Sequence, residues 1–236
     1  MSTKERISID TPDGSFGAYL ARPAVTGATP APSIVVIQEI FGINADVRET
    51  CDTLAGLGYL AVAPDLFWRQ EPGVDITDQS EAEWKKAFAL YQGFNVDKGV
   101  DDVAATLAVA RALPGASGKA GVIGFCLGGL LTFLSATRAK PDAAAAYYGG
   151  GTDKHVGELT SLACPLIMHL AEADEFISAE ARATIIDAAA GNPLVQVHTY
   201  PGQNHAFARH NGQHYDAASA RLANERSYAF FAQHLK

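Results

Sequence analysis

Short apolar runs alternate with amphipathic segments along most of the chain. The run SIVVIQ at 33–38 is bounded by turn residues, and similar runs follow it: YLAVAPDL, AGVIGF, AAAAYYG, PLIMHLA and VQVHTY. Continuous apolar strands of this length are typical of a parallel sheet that is covered on both faces. Two strand-like pieces, RISI and FGAYLA, come first, and Ala24–Pro32 is predicted to be a loop between the two groups. We therefore predict about eight strands in one mostly parallel central sheet.

Helical segments lie between these runs. Val47, Cys51 and Leu54 recur at helical spacing in the first segment. The sequence SEAE at Ser80–Glu83 has the spacing of a capping box and predicts the start of another helix. Further helices are predicted around Val100–Leu113 and over LGGLLTFLSATRA. The alternation predicts an α/β fold with helices on both faces of the sheet.

Composition and charge narrow the function classes. The 236 residues are 48% hydrophobic, which is enough for one large domain over 1–236 without a lid domain. The net charge of −8 and the lack of a basic run argue against nucleic acid as a partner. No window resembles a membrane span or a signal peptide. Three cysteines are too few for a disulfide framework, so we expect a cytoplasmic protein. We expect a monomer by default.

Cys126 lies at the centre of GFCLGG, directly after an apolar run and before a helical one. Many hydrolases hold a nucleophile in such a strand–turn–helix setting, and Gly124 and Gly128 suit a turn with no room for side chains. A helix N-terminus also favours the thiolate. We predict that Cys126 is a nucleophile, the alternative being a buried cysteine that only fills core space.

Asp174 and His205 follow the ends of later strands, where the chemistry of such sheets is located. The chain order nucleophile, acid, histidine is that of a catalytic triad on this kind of sheet. We predict that His205 accepts the thiol proton and that Asp174 fixes the imidazole tautomer. Glu172 and Glu175 are neighbouring acids that could be confused with Asp174, which could alternatively cap a helix.

His205, His210 and His214 could together suggest a metal site. They lack carboxylate or cysteine ligands at suitable spacing, so we expect neither a metal nor a cofactor.

The loop QEIFGIN follows the first central strand. Its Ile40 and the residue after the cysteine, Leu127, are expected to supply two backbone N–H groups as an oxyanion hole. Glu39 either points to water or lies in the pocket, where its charge would disfavour the free thiolate.

Five motifs occur in order and together resemble the dienelactone hydrolase (carboxymethylenebutenolidase) family of the α/β-hydrolase fold: QEIFGIN, APDLFWRQEPG, GFCLGG, YYGGG and YPGQNHAFAR. The resemblance implies that Cys126, Asp174 and His205 form the triad. It also implies that Glu39 accepts the hydrogen bond of the resting thiol and moves when substrate arrives.

Pocket residues follow from the same resemblance. Phe41 and Tyr148 would line the pocket, and Arg209 matches an arginine that holds a substrate carboxylate. The family's second arginine falls at Trp84 in this chain, and Lys85 and Lys86 point elsewhere on a helix. Because an indole does not replace a planar guanidinium, Trp84 would instead present an aromatic wall to a less charged substrate.

The activity implied is the opening of a dienelactone-like enol lactone by water, a carboxymethylenebutenolide to maleylacetate type of reaction. A thiol suits it because an enol lactone expels a stabilised enolate, whereas a simple ester expels a poor alkoxide leaving group. The alternatives are a broader esterase or thioesterase for activated esters and a non-catalytic ligand-binding or redox-sensing protein. A sensor would need no acid behind its histidine.

Overall fold

The computed structural model describes residues 3–24 and 29–236. Its strands are β1 (Thr3–Thr11), β2 (Gly14–Arg22), β3 (Ala31–Ile37), β4 (Leu60–Pro64), β5 (Ala116–Phe125), β6 (Ala143–Tyr147), β7 (Leu166–Ala171) and β8 (Val195–Tyr200). Its α-helices are α1 (Ala45–Gly56), α2 (Glu81–Gln92), α3 (Val96–Ala112), α4 (Leu127–Arg138), α5 (Ala179–Ala189) and α6 (Ala217–Leu235). A 3-10 helix spans Thr152–Ser161.

All eight strands belong to one sheet with the order β1-β2-β4-β3-β5-β6-β7-β8. The β1–β2 and β2–β4 pairs are antiparallel, and every other neighbouring pair is parallel. The predicted mostly parallel, eight-stranded sheet is therefore confirmed. Because β3 to β8 run in the same direction, the loops after these strands meet at one edge of the sheet.

Helices cover both faces of this sheet, as predicted. Successive residues of β3 alternate between two apolar clusters: Val35 and Ile37 pack with residues of α3 and α4, whereas Ile34 and Val36 pack with residues of α1 and α6. This alternation follows from the two-residue period of a strand. Both faces being apolar explains why the central strands read as continuous hydrophobic runs.

Capping side chains set the helix starts. Ser80 Oγ accepts from the backbone N–H of Glu83 at 3.3 Å and donates to its carboxylate at 2.8 Å, so α2 begins where the capping box predicts. The helix predicted near Val100 begins earlier, at Val96, because Asn95 accepts from the backbone N–H of Lys98 and caps it.

One segment differs from the sequence prediction, and another lies partly outside the residues that the structure describes. The 3-10 helix at Thr152–Ser161 was not predicted, since that segment lacks a regular apolar period. The loop predicted at Ala24–Pro32 falls partly outside the described residues, which omit 25–28, and β3 already begins at Ala31. Among the helices that the structure describes, none is long and apolar enough to cross a membrane.

Candidate active site

Cys126 lies in a strained turn between β5 and α4. Its backbone has φ 55° and ψ −116°, a conformation that a residue with a side chain rarely adopts. A Cβ on Gly124 would approach the carbonyl oxygen of Gly128 to 2.1 Å, and one on Gly128 would approach the carbonyl oxygen of Ile37 to 2.5 Å. Both glycines are therefore required for the close packing of the turn, which presents the thiol at the carboxyl edge of the sheet.

Asp174 and His205 form a buried pair in the loops after β7 and β8. Nδ1 of His205 lies 3.0 and 2.9 Å from the two carboxylate oxygens of Asp174. The Asp174 carboxylate also accepts the backbone N–H groups of Phe176 and Ile177, at 2.9 and 3.2 Å. One carboxylate thus orders its own loop and orients the imidazole.

Neighbouring acids do not share this environment. Glu172 and Glu175 are exposed, whereas the side chain of Asp174 is fully buried. Asp174 is therefore the acid in this stretch that contacts His205.

Cys126 and His205 line the same cavity, whose volume is about 240 Å³. With Nδ1 facing Asp174, Nε2 is the free ring nitrogen, and it is buried with no hydrogen-bond partner in the described part of the chain. Burial opposes protonation of His205, but the charges of Cys126 and Asp174 outweigh burial and raise its pKa to about 10. The surroundings of His205 therefore favour a proton on its ring.

Ile40 and Leu127 both line this cavity. Leu127 is the first residue of α4, where helix geometry leaves the N–H groups without an intrahelical acceptor. The turn after β3 brings Ile40 to the same cavity from the other side. The role of their backbone N–H groups as an oxyanion hole stays a prediction.

Arg209 lines the cavity and binds two buried carboxylates. Its Nη1 lies 3.0 Å from Glu39 Oε2, and its Nη2 lies 3.0 Å from Asp78 Oδ2. Burial raises the pKa of Glu39, although the Arg209 charge opposes this shift. Glu39 and Cys126 line the same cavity, but no hydrogen bond joins them among the residues described. The gating role of Glu39 and the carboxylate-binding role of Arg209 stay predictions.

Aromatic side chains form the mouth of the cavity. Trp84 packs edge-on against Phe41 and stacks on Phe88, with ring centroids 5.2 and 5.3 Å apart. Tyr91, Phe176 and the cation Lys154 complete the rim.

The pocket role of Tyr148 stays a prediction. The residue contacts His205 with a centroid distance of 5.1 Å, but it lines a second cavity of about 330 Å³, which meets the first at Glu39 and Arg209. Its backbone φ is 36°, in the left-handed region.

The other histidines have different contacts. His210 pairs with Glu49 at 3.2 Å on the surface, and Nδ1 of His214 donates to the backbone carbonyl of His205 at 3.2 Å. Across 3–24 and 29–236, no group of three or more histidine, cysteine or acidic side chains is placed to hold a metal ion.

A buried polar network below the site escaped sequence analysis. His169 of β7 contacts Tyr200 Oη at 2.7 Å and Ser227 Oγ of α6 at 2.9 Å. Ser227 also contacts Tyr147 Oη at 2.8 Å, and this hydroxyl donates to Asn224 at 3.1 Å. Burial lowers the pKa of His169 well below its ordinary value, so this imidazole is neutral. The network connects the ends of β6, β7 and β8 to α6.

Asp78 and Phe176 were also missed. Asp78 lies in a loop outside the recognised motifs, and only the folded chain brings it to Arg209. Phe176 follows Asp174 and packs against His205 with a centroid distance of 4.8 Å. Its position two residues after the candidate acid Asp174 was the feature of the sequence that could have placed Phe176 near the site.

Comparison with known proteins places this geometry in a family. Residues 16–235 match the model of the dienelactone hydrolase family. A carboxymethylenebutenolidase of Pseudomonas putida is 43% identical over 229 residues, which cover 97% of this chain and 96% of the relative. A protein of Azospirillum brasilense, provisionally assigned the same name, is 50% identical over 224 residues, 94% of this chain and 95% of the relative.

Solved structures agree with the sequence relatives. The crystal structure of a provisionally assigned dienelactone hydrolase from Klebsiella pneumoniae superposes with a TM-score of 0.86 at 29% identity, covering 99% of each chain. The family match, the relatives and this superposition each span nearly the whole chain. The chain therefore belongs to the dienelactone hydrolase family and is a carboxylic ester hydrolase with the α/β-hydrolase fold.

Proposed function

We propose that the chain opens dienelactone-like enol lactones by nucleophilic catalysis at Cys126, with His205 as the proton carrier and Asp174 as its orienting acid. The observation that supports this most is the shared cavity: the strained thiol turn and the free Nε2 of an Asp174-bound imidazole border the same space. This is the arrangement of nucleophile, base and orienting group that covalent catalysis needs.

Acylation begins with proton transfer from the thiol to Nε2 of His205. The thiolate sulfur bonds to the lactone carbonyl carbon, and the carbonyl electron pair moves onto oxygen, facing the N–H groups of Ile40 and Leu127. Collapse of this adduct breaks the ring C–O bond, and the imidazolium returns its proton to the enolate oxygen. The product stays attached to Cys126 as a thioester.

Deacylation consumes one water molecule. His205 accepts a proton from water as its oxygen attacks the thioester carbon, and the thiolate is expelled. The net reaction adds water across the lactone and yields a ring-opened keto acid. The three protein side chains end in their starting states, so the cycle needs no cofactor.

The other thiols do not match this role. Burial raises the pKa of Cys51 above its ordinary value and that of Cys164 to about 12, so both stay protonated in the core. Cys126 is only partly buried. The three cysteines are unpaired, and we propose a reducing cytoplasm as the compartment in which such a thiol persists.

Glu39 remains the proposed gating acid. Its Oε1 is buried and has no hydrogen-bond partner among the described residues, so this oxygen can accept a hydrogen bond from a resting thiol. Tyr148 and Phe41 support the site by packing against His205 and Arg209, respectively.

The second candidate is a broader esterase or thioesterase for activated esters. The aromatic rim favours it, because Phe88, Tyr91 and Phe176 leave 39%, 43% and 49% of their surfaces exposed beside the cavity. Such a rim would accept apolar acyl or alcohol groups of varied shape.

A single-turnover experiment tests the proposal. Wild-type protein mixed with p-nitrophenyl acetate is expected to release a burst of nitrophenolate equal to the enzyme concentration and to gain one acetyl group on Cys126, detected by mass spectrometry. Cys126→Ala should abolish both, while Cys164→Ala should keep both. A full burst in Cys126→Ala would disprove the nucleophile. Turnover of a dienelactone against phenyl and ethyl esters then separates the lactonase from the broader esterase.

A further inference from the structure

The imidazole of His205 contacts two aromatic rings. Phe176 packs edge-on against it with ring centroids 4.8 Å apart, and Tyr148 packs in the same manner at 5.1 Å. Phe176 lines the cavity that holds Cys126, whereas Tyr148 lines the second cavity. The imidazole therefore meets one aromatic side chain at each of the two cavities.

The two rings differ in their exposure to water. Tyr148 is fully buried, whereas Phe176 is 49% exposed. The side chain of His205, which Phe176 contacts, is only 7% exposed. A half-exposed ring in direct contact with a buried imidazole lies between that imidazole and the solvent. Phe176 is therefore the part of the cavity wall that covers His205.

Phe176 is also bonded to the acid that orients His205. Its backbone N–H donates to Oδ1 of Asp174 at 2.9 Å, and the same oxygen lies 3.0 Å from Nδ1 of His205. The backbone of Phe176 thus helps to fix the carboxylate, while its ring contacts the imidazole. One residue therefore contacts both partners of the pair and places an apolar side chain beside them.

Exclusion of water strengthens the contact between Asp174 and His205. Opposite charges attract each other more strongly as the effective dielectric constant falls, and a hydrogen bond in such surroundings is strengthened in the same way. In the proposed reaction His205 becomes an imidazolium when it accepts the thiol proton, and the charge of Asp174 stabilises it. Water at this contact would weaken that stabilisation and loosen the orientation of the ring.

Phe88 offers a matched comparison within the same cavity. It also lines the cavity and is 39% exposed, but it stacks on Trp84 with ring centroids 5.3 Å apart. Among the described residues, no ring contact joins Phe88 to His205. A substitution at Phe88 therefore changes the aromatic surface available to a substrate without uncovering the imidazole.

We propose that Phe176 is a positioning residue that acts through His205. Its ring excludes water from the contact between Asp174 and His205, and it holds the imidazole in the orientation for proton transfer with Cys126. This inference rests on the proposed nucleophilic catalysis at Cys126. It gives Phe176 an effect on the rate of acylation, in addition to the aromatic surface that it shares with Phe88 at the mouth of the cavity.

Burst kinetics with p-nitrophenyl acetate and p-nitrophenyl phenylacetate separate positioning from substrate recognition. We expect Phe176→Ala to lower the acylation rate constant at saturating ester by on the order of tenfold, and by the same factor for both esters. Phe88→Ala should instead act on KM for the bulkier ester, because it removes binding surface that ground state and transition state share. Phe176→Leu keeps an apolar cover over His205 and should restore most of the acylation rate.

NMR gives a second measurement, which a role in substrate recognition would not change. The Nδ1–H proton of His205 faces Asp174, and such a proton gives a far-downfield signal only while it is protected from exchange with water. We expect this signal in substrate-free wild-type, Phe88→Ala and Phe176→Leu proteins, and its loss by exchange broadening in Phe176→Ala. Its absence from His205→Gln protein assigns the signal.

Three results would overturn the proposal. The first is an acylation rate constant in folded Phe176→Ala protein that is unchanged, or lowered for one ester only. The second is persistence of the Nδ1–H signal in that variant, and the third is absence of the signal from wild-type protein. If Phe176→Ala does not fold, Phe176→Val replaces it, since valine fills only part of the space of the ring. The signal needs no chemistry at Cys126, so a wild-type protein with the signal but without a burst would contradict the proposed function alone.

Discussion

Both carboxylate oxygens of Asp174 lie within 3.0 Å of Nδ1 of His205, while one of them also accepts two backbone N–H groups of its own loop. The position of the carboxylate is therefore set by the backbone, and the position of the imidazole is set by the carboxylate. Such a chain of contacts fixes the tautomer that leaves Nε2 free for proton transfer.

Asp174→Asn separates loop structure from catalysis. Asparagine keeps an acceptor for the backbone N–H groups of Phe176 and Ile177, but it cannot stabilise an imidazolium by charge. We expect kcat/KM to fall by on the order of 10³-fold with little change in thermal stability. Glu175→Gln is the matched control at an exposed neighbour and should retain wild-type activity. A loss smaller than tenfold in Asp174→Asn would rule out this acid.

Cys126→Ala should change the titration of His205. The pKa of His205 is raised to about 10 although burial opposes the shift, because the charges of Cys126 and Asp174 favour the imidazolium. Removing the sulfur deletes one of these charges and keeps the burial, so the pKa must fall. NMR titration of the ring C–H signals measures it, with Cys164→Ala as the control. An unchanged pKa would show that thiol and imidazole are not electrostatically coupled.

Gly128→Ala tests the packing of the nucleophile turn. The new Cβ would lie 2.5 and 2.6 Å from the carbonyl oxygens of Ile37 and Gln38, which lead into the Ile40 loop. We expect the free energy of unfolding to drop by about 1–3 kcal/mol, and kcat to fall as the oxyanion donors shift. Gly157→Ala, where nothing lies within 4 Å of a Cβ, should be neutral in urea denaturation and in activity. Equal stability of the two variants would contradict the close approach.

Glu158 should give the protein an acid-sensitive contribution to stability. Hydrogen bonds from Arg138 lower the pKa of Glu158 to about 2 from an ordinary 4.5. A carboxyl with a lowered folded-state pKa stabilises the fold above its unfolded pKa, and this contribution is lost as pH falls through the folded value. Because Glu158 is 30% exposed, we expect about 1 kcal/mol.

Urea unfolding of wild-type and Glu158→Gln proteins measures this contribution. The pH is varied from roughly 5 to 2.5, because this range lies mostly between the ordinary and the folded-state pKa of Glu158. The stability difference between the two should shrink as pH falls. Glu172→Gln, at an exposed acid of another loop, serves as the control. A difference that stays constant with pH would mean that the Arg138 contact does not depend on the charge of Glu158.

The alternating apolar runs were sufficient to predict the sheet, because each central strand is buried on both faces and must be apolar throughout. Cys126 could be predicted for a similar reason. The tight turn around it has no room for side chains at Gly124 and Gly128, and these glycines are visible in the sequence.

Tertiary contacts were beyond the same reasoning. Asp78 meets Arg209 only because Gln213 and Trp84 bring separate loops together, and no local pattern encodes that meeting. Likewise, no local pattern shows that Tyr148 packs against His205 or that it lines the second cavity. Positions set by long-range packing or by unusual dihedral angles are those that sequence patterns miss.

Hydrogen bonds from Tyr200 through His169 to Ser227 join β7 and β8 to α6, so this helix stabilises the strands that lead to the candidate active site. Ser227 and Asn224 sit within the nineteen residues of α6, yet they hold the strands from which the triad loops emerge. Removing α6 would therefore leave Cys126, Asp174 and His205 in the chain, but the strands that position them for proton transfer would be held less firmly.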